Sequence, residues 1–551
     1  MSVWRKLRNS LAHPLRYAAL VAGALPVLTF PAPNLEFAAW FCLVPGLLLV
    51  RAAPSAREAT VRSWWFGTGF IMAAHYWLAP NLGPALLLVA IVLGVLWTPA
   101  GLSTWLLLRS PVTPGRALAA LLVVPSYWLV IEVIRSWQAL GGPWALLGTS
   151  QWQHPVMLAL AAVGGVWLIS FVLVAANVAV VIVLTARALP LRALAGGLVA
   201  VLVLAGPVAF WLLPSVTPDG SVTVAMVQPG IVHDPLLRVD ASQRLTTRLR
   251  GHPGLIVWGE SSIAYDLREN HTLLNELRAL SAAKGAQILV NQDSVTPAGK
   301  SKVAVLVGPR GIVATYTKTR LVPFGEYIPF RQQLGWLTSV SRAAPVNMIP
   351  GTGAKVMTAT LPGGRPLRIG VLICFEAAFP DMSRVDTLHG ARLIVYQTSD
   401  STFQQSWAPA QHASMVAVRA AETGRPAIQA ALTGVSAAFD ARGRMITWLG
   451  TSHQGVAFVR VGLAPASALT PFDRIGDVVP WVAISIAVLA ALIAVTVNYP
   501  GGRPRLIGIM RDGNRRPVPS VSNTEAVGES GAAPGPQQSG GGAAPSQQAG
   551  R

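Results

Sequence analysis

Residues 367–376 read LRIGVLICFE, a short apolar run that ends abruptly on a cysteine and a glutamate. A run of that length reads as a strand buried on both faces. The same texture recurs on either side. VTVAMVQ stands at 222–228, LIVWGE at 255–260, QILVNQD at 287–293, KVAVLVG at 302–308, IVATYTK at 312–318 and RLIVYQTSD at 392–400. Helical stretches at 270–284 and 408–422 separate some of these runs, and the pair around Gly311 reads as a hairpin. Buried strands alternating with helices predict an α/β domain over 220–475.

Outside that domain the chain is far more apolar. Candidate membrane spans lie near 16–31, 35–50, 63–79, 84–108, 117–135, 157–185, 193–213 and 478–497. Several approach the roughly 20 apolar residues that cross a bilayer, where only helices satisfy the backbone. The charges orient them. With the N-terminus inside, the inside segments carry Arg5, Lys6, Arg8 and Arg16, then Arg51, Arg57 and Arg62, Arg109 and Arg116, Arg187 and Arg192, and finally Arg503, Arg505, Arg511, Arg515 and Arg516. The outside loops near 31–35 and 80–83 carry no Lys or Arg, and only Arg135 stands near the third. This asymmetry predicts an N-terminal membrane domain over 1–215 of about seven helices, the α/β domain on the outer face, and a return helix at 478–497. The basic start followed by an apolar run resembles a leader, but more apolar segments follow closely, so it reads as an uncleaved first span. From 511 to 551 the chain is rich in Gly, Pro, Ser, Gln and Ala and reads as a disordered cytoplasmic tail.

At the end of the fifth span Glu132 and Arg135 stand three apart, which puts them on one helix face. They read either as a structural ion pair or as a headgroup contact, with Trp128, Trp137, Trp144 and Trp152 around them as in an interfacial belt.

Composition narrows the function classes. Of 551 residues 52% are hydrophobic and 12% charged, too apolar for an ordinary soluble protein. The formal charge of +20 raises nucleic acid as a partner, but much of the basic excess flanks apolar segments, where membrane topology accounts for it. Nucleic acid is not expected. Cys42 and Cys374 are the only cysteines, which excludes a disulfide framework and a cysteine-rich metal centre.

The reactive residues cluster where strands end: Glu260 after LIVW, Lys318 after IVATYT, Cys374 and Glu376 after LRIGVLI. Singly, each has a bland reading: a small core residue for the cysteine, a solvated turn for a glutamate, surface for the lysine. Together they supply a thiol, a carboxylate able to take its proton, and a cation for a developing oxyanion, the three parts of acyl transfer.

Three runs carry a resemblance: Ile256-Val257-Trp258-Gly259-Glu260, Lys318 through Tyr327 (KTRLVPFGEY), and Ile373-Cys374-Phe375-Glu376. They are similar to the catalytic blocks of the nitrilase superfamily. LVPFGEYIP, Gln228-Pro229, Pro409-Ala410-Gln411-His412 and the stretch from Arg419 to Arg425 resemble its membrane-bound branch, the apolipoprotein N-acyltransferases. The resemblance implies a multi-pass α-helical membrane domain plus an α/β nitrilase-like αββα sandwich. It implies Glu260 as general base, Lys318 as oxyanion-stabilising cation, Cys374 as nucleophile, and Glu326, Glu376 and Phe375 as auxiliary residues. It implies a membrane phospholipid as acyl donor, the N-terminus of a diacylated lipoprotein as acceptor, a monomer, and neither metal nor organic cofactor. The chain departs from the family at Gly259, where Pro is common, at Phe375, where Tyr is common, and at Ser399-Asp400-Ser401-Thr402-Phe403, where Asn-Asp-Trp-Phe is the usual pattern.

The segment 330–350 mixes large apolar residues with Arg, Gly and Pro, and Trp336 and Leu337 read as part of a lipid-facing lid. Two rivals share parts of this reading: a membrane-tethered nitrilase-type amidase acting on small C–N substrates, and a non-enzymatic polytopic protein with a decayed domain.

Overall fold

Apolar runs offer a backbone in lipid no partner but itself, so the N-terminal part is helical. The computed structural model describes residues 13–214, 216–297, 299–339 and 344–498. It places there α1 (Pro14–Ala24), α2 (Val44–Arg51), α3 (Ala56–Ala74), α4 (Ala85–Leu108), α5 (Pro114–Arg135), α6 (Pro155–Thr185) and α7 (Leu189–Leu212). Among the described residues five helices are long and apolar enough to cross a membrane, by length and composition: α4 to α7 and the segment Val478–Thr496. The apolar run at 16–31 forms α1 and a 3-10 turn, Leu25–Thr29, and the run at 35–50 divides into a 3-10 turn, Glu36–Trp40, and α2. Arg5, Lys6, Arg8 and the 511–551 tail lie outside the described residues.

Basic residues on the expected inner side are tied together. Glu58 in the first turn of α3 binds Arg16 at 2.5 Å and Arg62 at 3.1 Å, and Arg62 also donates to the Leu49 carbonyl at 2.8 Å.

Glu132 and Arg135 differ from both readings of the sequence. Each is buried, and no ion pair within 4.0 Å joins them. Glu132 instead accepts from the Trp128 indole at 3.0 Å and the Leu147 amide at 2.7 Å, while Arg135 donates to the Trp144 carbonyl at 2.6 Å and lies over the Phe70 ring. Trp128, Trp144 and Trp152 are buried in protein contacts, and only Trp137 of the four is exposed. The polar groups fold the 137–152 loop back over the helix ends, which a face-sharing argument from spacing does not anticipate.

After α7 the period changes from 3.6 to 2. The strands are β1 (Gly220–Gln228), β2 (Leu255–Trp258), β3 (Gln287–Thr296), β4 (Gly299–Gly308), β5 (Gly311–Thr317), β6 (Val356–Thr360), β7 (Pro366–Ile373), β8 (Leu393–Thr398), β9 (Ala427–Ala431), β10 (Ser436–Phe439), β11 (Met445–Leu449) and β12 (Gly455–Leu463). They form two six-stranded sheets, ordered β12-β1-β2-β3-β4-β5 and β11-β10-β9-β8-β7-β6. Parallel pairs occupy the middle of each, β1 with β2 and β2 with β3, β7 with β8 and β8 with β9.

Successive side chains point to opposite faces. Val224, Met226, Leu255, Val257, Leu289, Ala304 and Leu306 join the apolar core shared with the second sheet. Their neighbours Ala225, Val227, Ile256, Trp258, Ile288, Val290, Val305 and Val307 form a separate outer core. Helices α8 (Pro235–Thr247) and α9 (His271–Lys284) cover that outer face, and α10 (Pro380–Leu388) and α11 (Ala408–Thr423) cover the second sheet. The domain is an αββα sandwich. The last described helix is α12 (Val478–Asn498).

One break joins the two parts. α6 is interrupted at Gly164 and Gly165, the latter at φ 70°, a left-handed conformation that favours glycine. The freed amide of Val166 donates to Glu422 Oε1 of α11 at 2.8 Å, a side-chain acceptor for an unpaired amide at a helix start. The core runs without interruption from the sandwich through α11 into α6.

Candidate functional site

Three strand ends and one turn converge. β2 runs out at Trp258, and Glu260 follows two residues later, its amide donating to the Thr398 carbonyl at 3.1 Å. Gly259 passes so close to the Ala431–Leu432 backbone that a Cβ there would overlap the Leu432 nitrogen. Lys318 directly follows β5 and is fully buried. Its ammonium donates to Glu260 Oε1 at 3.1 Å and to Glu326 Oε1 at 2.7 Å.

Leu321 to Ile328 fold into a tight turn that brings Glu326 back onto Lys318. Phe324 takes φ 62° and its amide donates to the Tyr327 carbonyl at 2.6 Å. The other oxygen of Glu326 accepts from the Val322 amide at 2.9 Å.

Cys374 is the first residue past β7, with φ 53°. The strand ends at Ile373, and Cys374 to Ala378 form a 3-10 turn, so the thiol stands on an elbow rather than in the strand. Glu376 braces it. Its Oε2 accepts from the Ile373 amide at 2.7 Å, and its Oε1 accepts from Tyr316 Oη at 2.8 Å and from the Thr319 and Arg320 amides at 2.7 and 3.0 Å. One buried carboxylate thus ties the elbow to the segment carrying Lys318. Phe375 is buried edge-on against Phe379, 5.1 Å between centroids, and Gly142 packs directly on both rings.

The charges oppose burial. Burial pushes the Glu260 carboxyl up, but Lys318 and Lys302 pull harder and hold it below the usual carboxylate value. Burial works against the Lys318 ammonium, yet Glu260 and Glu326 hold its pKa well above the ordinary lysine value. The Cys374 thiol is pushed up by burial and then by the Glu260 charge, against the pull of Lys318. The resting arrangement is a neutral thiol beside an ionised carboxylate and an ammonium, suited to proton transfer at the moment of attack.

The sequence reading assigned no part to Lys302, His412 and Asp400. Lys302 lies 3.7 Å from Glu260 Oε1 and 3.0 Å from Asp293. His412 Nε2 is 3.0 Å from the Cys374 carbonyl oxygen and its Nδ1 is 3.0 Å from Asp400 Oδ1. Counting outward from the β3–β4 turn pairs Asp293 with Lys302 across the hairpin, a signal that was present in the sequence.

The membrane domain closes one side. Gln138 donates to the Leu321 carbonyl at 2.9 Å, Trp137 meets Phe330 at 6.1 Å, and Trp144 lies 5.9 Å from the His412 ring. Trp336 is exposed, on a short helical excursion whose flanks are pinned to the Glu326 turn by Ala344 N to Phe324 O and Met348 N to Glu326 O, both 2.8 Å. The side chain of Leu337 lies outside the described residues. The structure therefore brings Glu260, Lys318, Cys374, Glu326 and Glu376 together, with Phe375 buried next to the elbow and Trp336 exposed on the excursion after the Glu326 turn. No group of three or more His, Cys, Asp or Glu able to hold a metal ion occurs among the described residues.

Comparison with known proteins agrees with this layout. Residues 22–179 match the family model described as the apolipoprotein N-acyltransferase N-terminal domain, and residues 255–469 match the one described as carbon-nitrogen hydrolase. An apolipoprotein N-acyltransferase of Allorhizobium ampelinum is 31% identical over 487 residues, covering 80% of this chain and 88% of that protein. That of Rhizobium meliloti is 31% identical over 493 residues, with the same coverages of 80% and 88%. That of Geobacter metallireducens is 28% identical over 510 residues, covering 86% and 94%.

Proposed function

The chain belongs to the apolipoprotein N-acyltransferase family, and we propose that it moves an acyl chain from a membrane phospholipid, through a thioester on Cys374, to the α-amino group of the diacylglyceryl-cysteine of a lipoprotein. The observation that carries the residue assignment is the contact of one buried ammonium, Lys318, with both Glu260 and Glu326 beside the Cys374 elbow.

Glu260 takes the thiol proton as Cys374 Sγ attacks the ester carbonyl of the donor. Lys318 has three donors; two point at carboxylates, and the third faces the developing oxyanion. Collapse breaks the ester C–O bond, and Glu260 returns the proton to the leaving lysophospholipid oxygen. The acceptor's neutral α-amine then attacks the thioester carbonyl and gives a proton to Glu260. The C–S bond breaks, the thiolate recovers that proton, and an amide leaves with the enzyme restored. Glu326 and Glu376 position Lys318 and the elbow. Phe375 and the aromatic groups around it form an apolar wall for the chain.

The catalytic sandwich lies on the outer face in this reading, where the multi-pass helices hold it against both lipid-anchored substrates. A soluble amidase substrate would need neither the helices nor the exposed aromatic side chains of the 330–350 segment. The test is single-turnover acylation from phospholipid vesicles, followed by mass spectrometry of Cys374. Cys374→Ala should give no adduct and Cys42→Ala a normal one. Glu260→Gln and Lys318→Arg should slow acylation by about a hundredfold or more, the usual scale for losing one oxyanion donor. An adduct in Cys374→Ala, or turnover of small amides alone, would overturn the reading.

A further inference from the structure

The acid–base carboxylate has a second set of partners besides Lys318 and Glu326, reached through its neighbour Ser261 and through Lys302. Ser261, next to Glu260, takes φ 54°, a conformation a non-glycine residue keeps only when its surroundings enforce it. Four partners enforce it. Its amide donates to Asn291 Oδ1 at 3.0 Å, its carbonyl accepts from Arg238 at 2.8 Å, its hydroxyl donates to Asp293 Oδ1 at 2.9 Å, and the Lys302 ammonium donates to that same hydroxyl at 2.5 Å. Lys302 and Asp293 are directly opposite each other across the β3–β4 ladder and 3.0 Å apart. Beyond them Asp293 lines an open cleft of ≈ 520 Å³ with Tyr265, Asp266 and His271.

We propose that Lys302 is a positioning residue for Glu260: with Asp293 and Ser261 it fixes the turn that carries the carboxylate and supplies that carboxylate with a second positive charge. Glu260 Oε1 has one ammonium at 3.1 Å, Lys318, and another at 3.7 Å, Lys302. The other charged or titratable groups around it are Cys374 on the elbow, Glu326 beyond Lys318, Asp293 beyond Lys302, Arg238 of α8 on the Ser261 carbonyl, and the His412–Asp400 pair of α11 and the loop after β8. Two cations on one oxygen keep the base ionised in a dry site. They also make its protonated form a stronger acid toward the departing lysophospholipid oxygen. Burial works against the Lys302 charge, but Glu260, Asp293 and Glu326 hold it in place.

The proposal rests on the acyl-transfer reading above, and its experiment separates the two. Vesicles of phosphatidylethanolamine and phosphatidylglycerol with a radiolabelled acyl chain are mixed with full-length protein, and single-turnover labelling of Cys374 is followed from about pH 3 to 8, a range that spans the ordinary carboxylate value. Wild type should label with a rate that rises along one acid limb. Lys302→Met should move that limb up by about one to three pH units, the usual effect of a close opposite charge on a carboxylate. Lys302→Gln should move it in the same direction. In the Lys302→Met/Asp293→Asn protein the limb should return part of the way, because the uncompensated negative charge is gone. That rescue is the reverse of what accumulated structural damage produces. A rate lowered by the same factor at every pH, an unmoved limb, or a double variant worse than Lys302→Met at every pH overturns the role of Lys302. Absence of label in wild type overturns the acyl-transfer reading itself.

Discussion

His412 Nε2 lies 3.0 Å from the carbonyl oxygen of Cys374. A carbonyl only accepts, so Nε2 carries a proton there. Nδ1 faces Asp400 Oδ1 at 3.0 Å, and a carboxylate oxygen likewise calls for a donor. Two acceptors therefore face the ring, with the Thr398 hydroxyl also 3.3 Å from Nδ1, a clamp between a buried acidic side chain and the backbone of the elbow that favours the protonated imidazole.

That clamp predicts a pH signature. Burial alone would strip the proton, but the Asp400 charge and hydrogen bond, with the Cys374 carbonyl, raise the pKa of His412 above its ordinary value. A raised basic group contributes its full stability below the unfolded value, about pH 6.5, and loses it as pH rises through the folded value. The difference in apparent unfolding temperature between wild type and Asp400→Asn/His412→Gln, measured in detergent, should be largest near about pH 6 and shrink as pH rises. A constant gap, or one that widens toward alkaline pH, would remove the charged imidazole from this account.

Gly259 predicts a steric effect. A methyl group there meets the Leu432 backbone nitrogen and the Ala431 carbonyl carbon, neither of which is the flexible end of a side chain. Gly259→Ala should destabilise the sandwich by about 1–3 kcal/mol, the usual cost of overpacking a tight site. Because Glu260 is anchored on the same side by the Thr398 carbonyl, acylation should fall as well. Thermal unfolding and single-turnover labelling check both, and a stable, fully active Gly259→Ala protein would show that the β9 end yields freely.

Much of this was legible because β2 and β7, which present Glu260 and Cys374, are rich in large apolar residues, and β5, which presents Lys318, is rich in β-branched and aromatic ones. IVATYT and LRIGVLI end directly before Lys318 and Cys374, and LIVW ends two residues before Glu260. The strands β9 to β12 went unread for different reasons. β9 (AIQAA) and β10 (SAAF) are short and rich in alanine, with little β-branched character, while β12 alternates buried and exposed residues toward its end and so lacks a continuous run. Sequence spacing put Glu132 with Arg135, but the 137–152 loop competes for both side chains, and loop return paths leave no periodic trace. His412 was visible only as part of a family-like stretch, since its partners Asp400 and Cys374 come from elements that only the folded sandwich brings together.

Topology is the next prediction. The β4–β5 hairpin tip carries exposed Arg310, and Cys42 is buried. In a Cys374→Ala background, Arg310→Cys should react with a membrane-impermeant thiol reagent in intact spheroplasts. A cysteine placed at Ser520, on the tail expected inside, should react only after rupture. The reverse pattern would put the sandwich in the cytoplasm, away from an outer-leaflet substrate, and would sink the assigned function with it.

The last prediction concerns how lipid reaches the elbow. Phe330 and Trp336 are 56% and 61% exposed, an unusual display of two large aromatic residues on one short excursion. The excursion begins at the Glu326 turn and Phe330 touches Trp137 at the end of α5, so it lies where the sandwich meets the membrane helices. Aromatic rings at that level favour the boundary between headgroups and acyl chains. Trp336→Ser should therefore weaken acylation of Cys374 by vesicle phospholipid several-fold. Alkylation of Cys374 by a small soluble haloacetamide should hold or rise, because that reagent needs no lipid contact. Equal loss in both reactions would mark Trp336 as part of the folded core, and no loss in either would leave the excursion without a role in lipid capture.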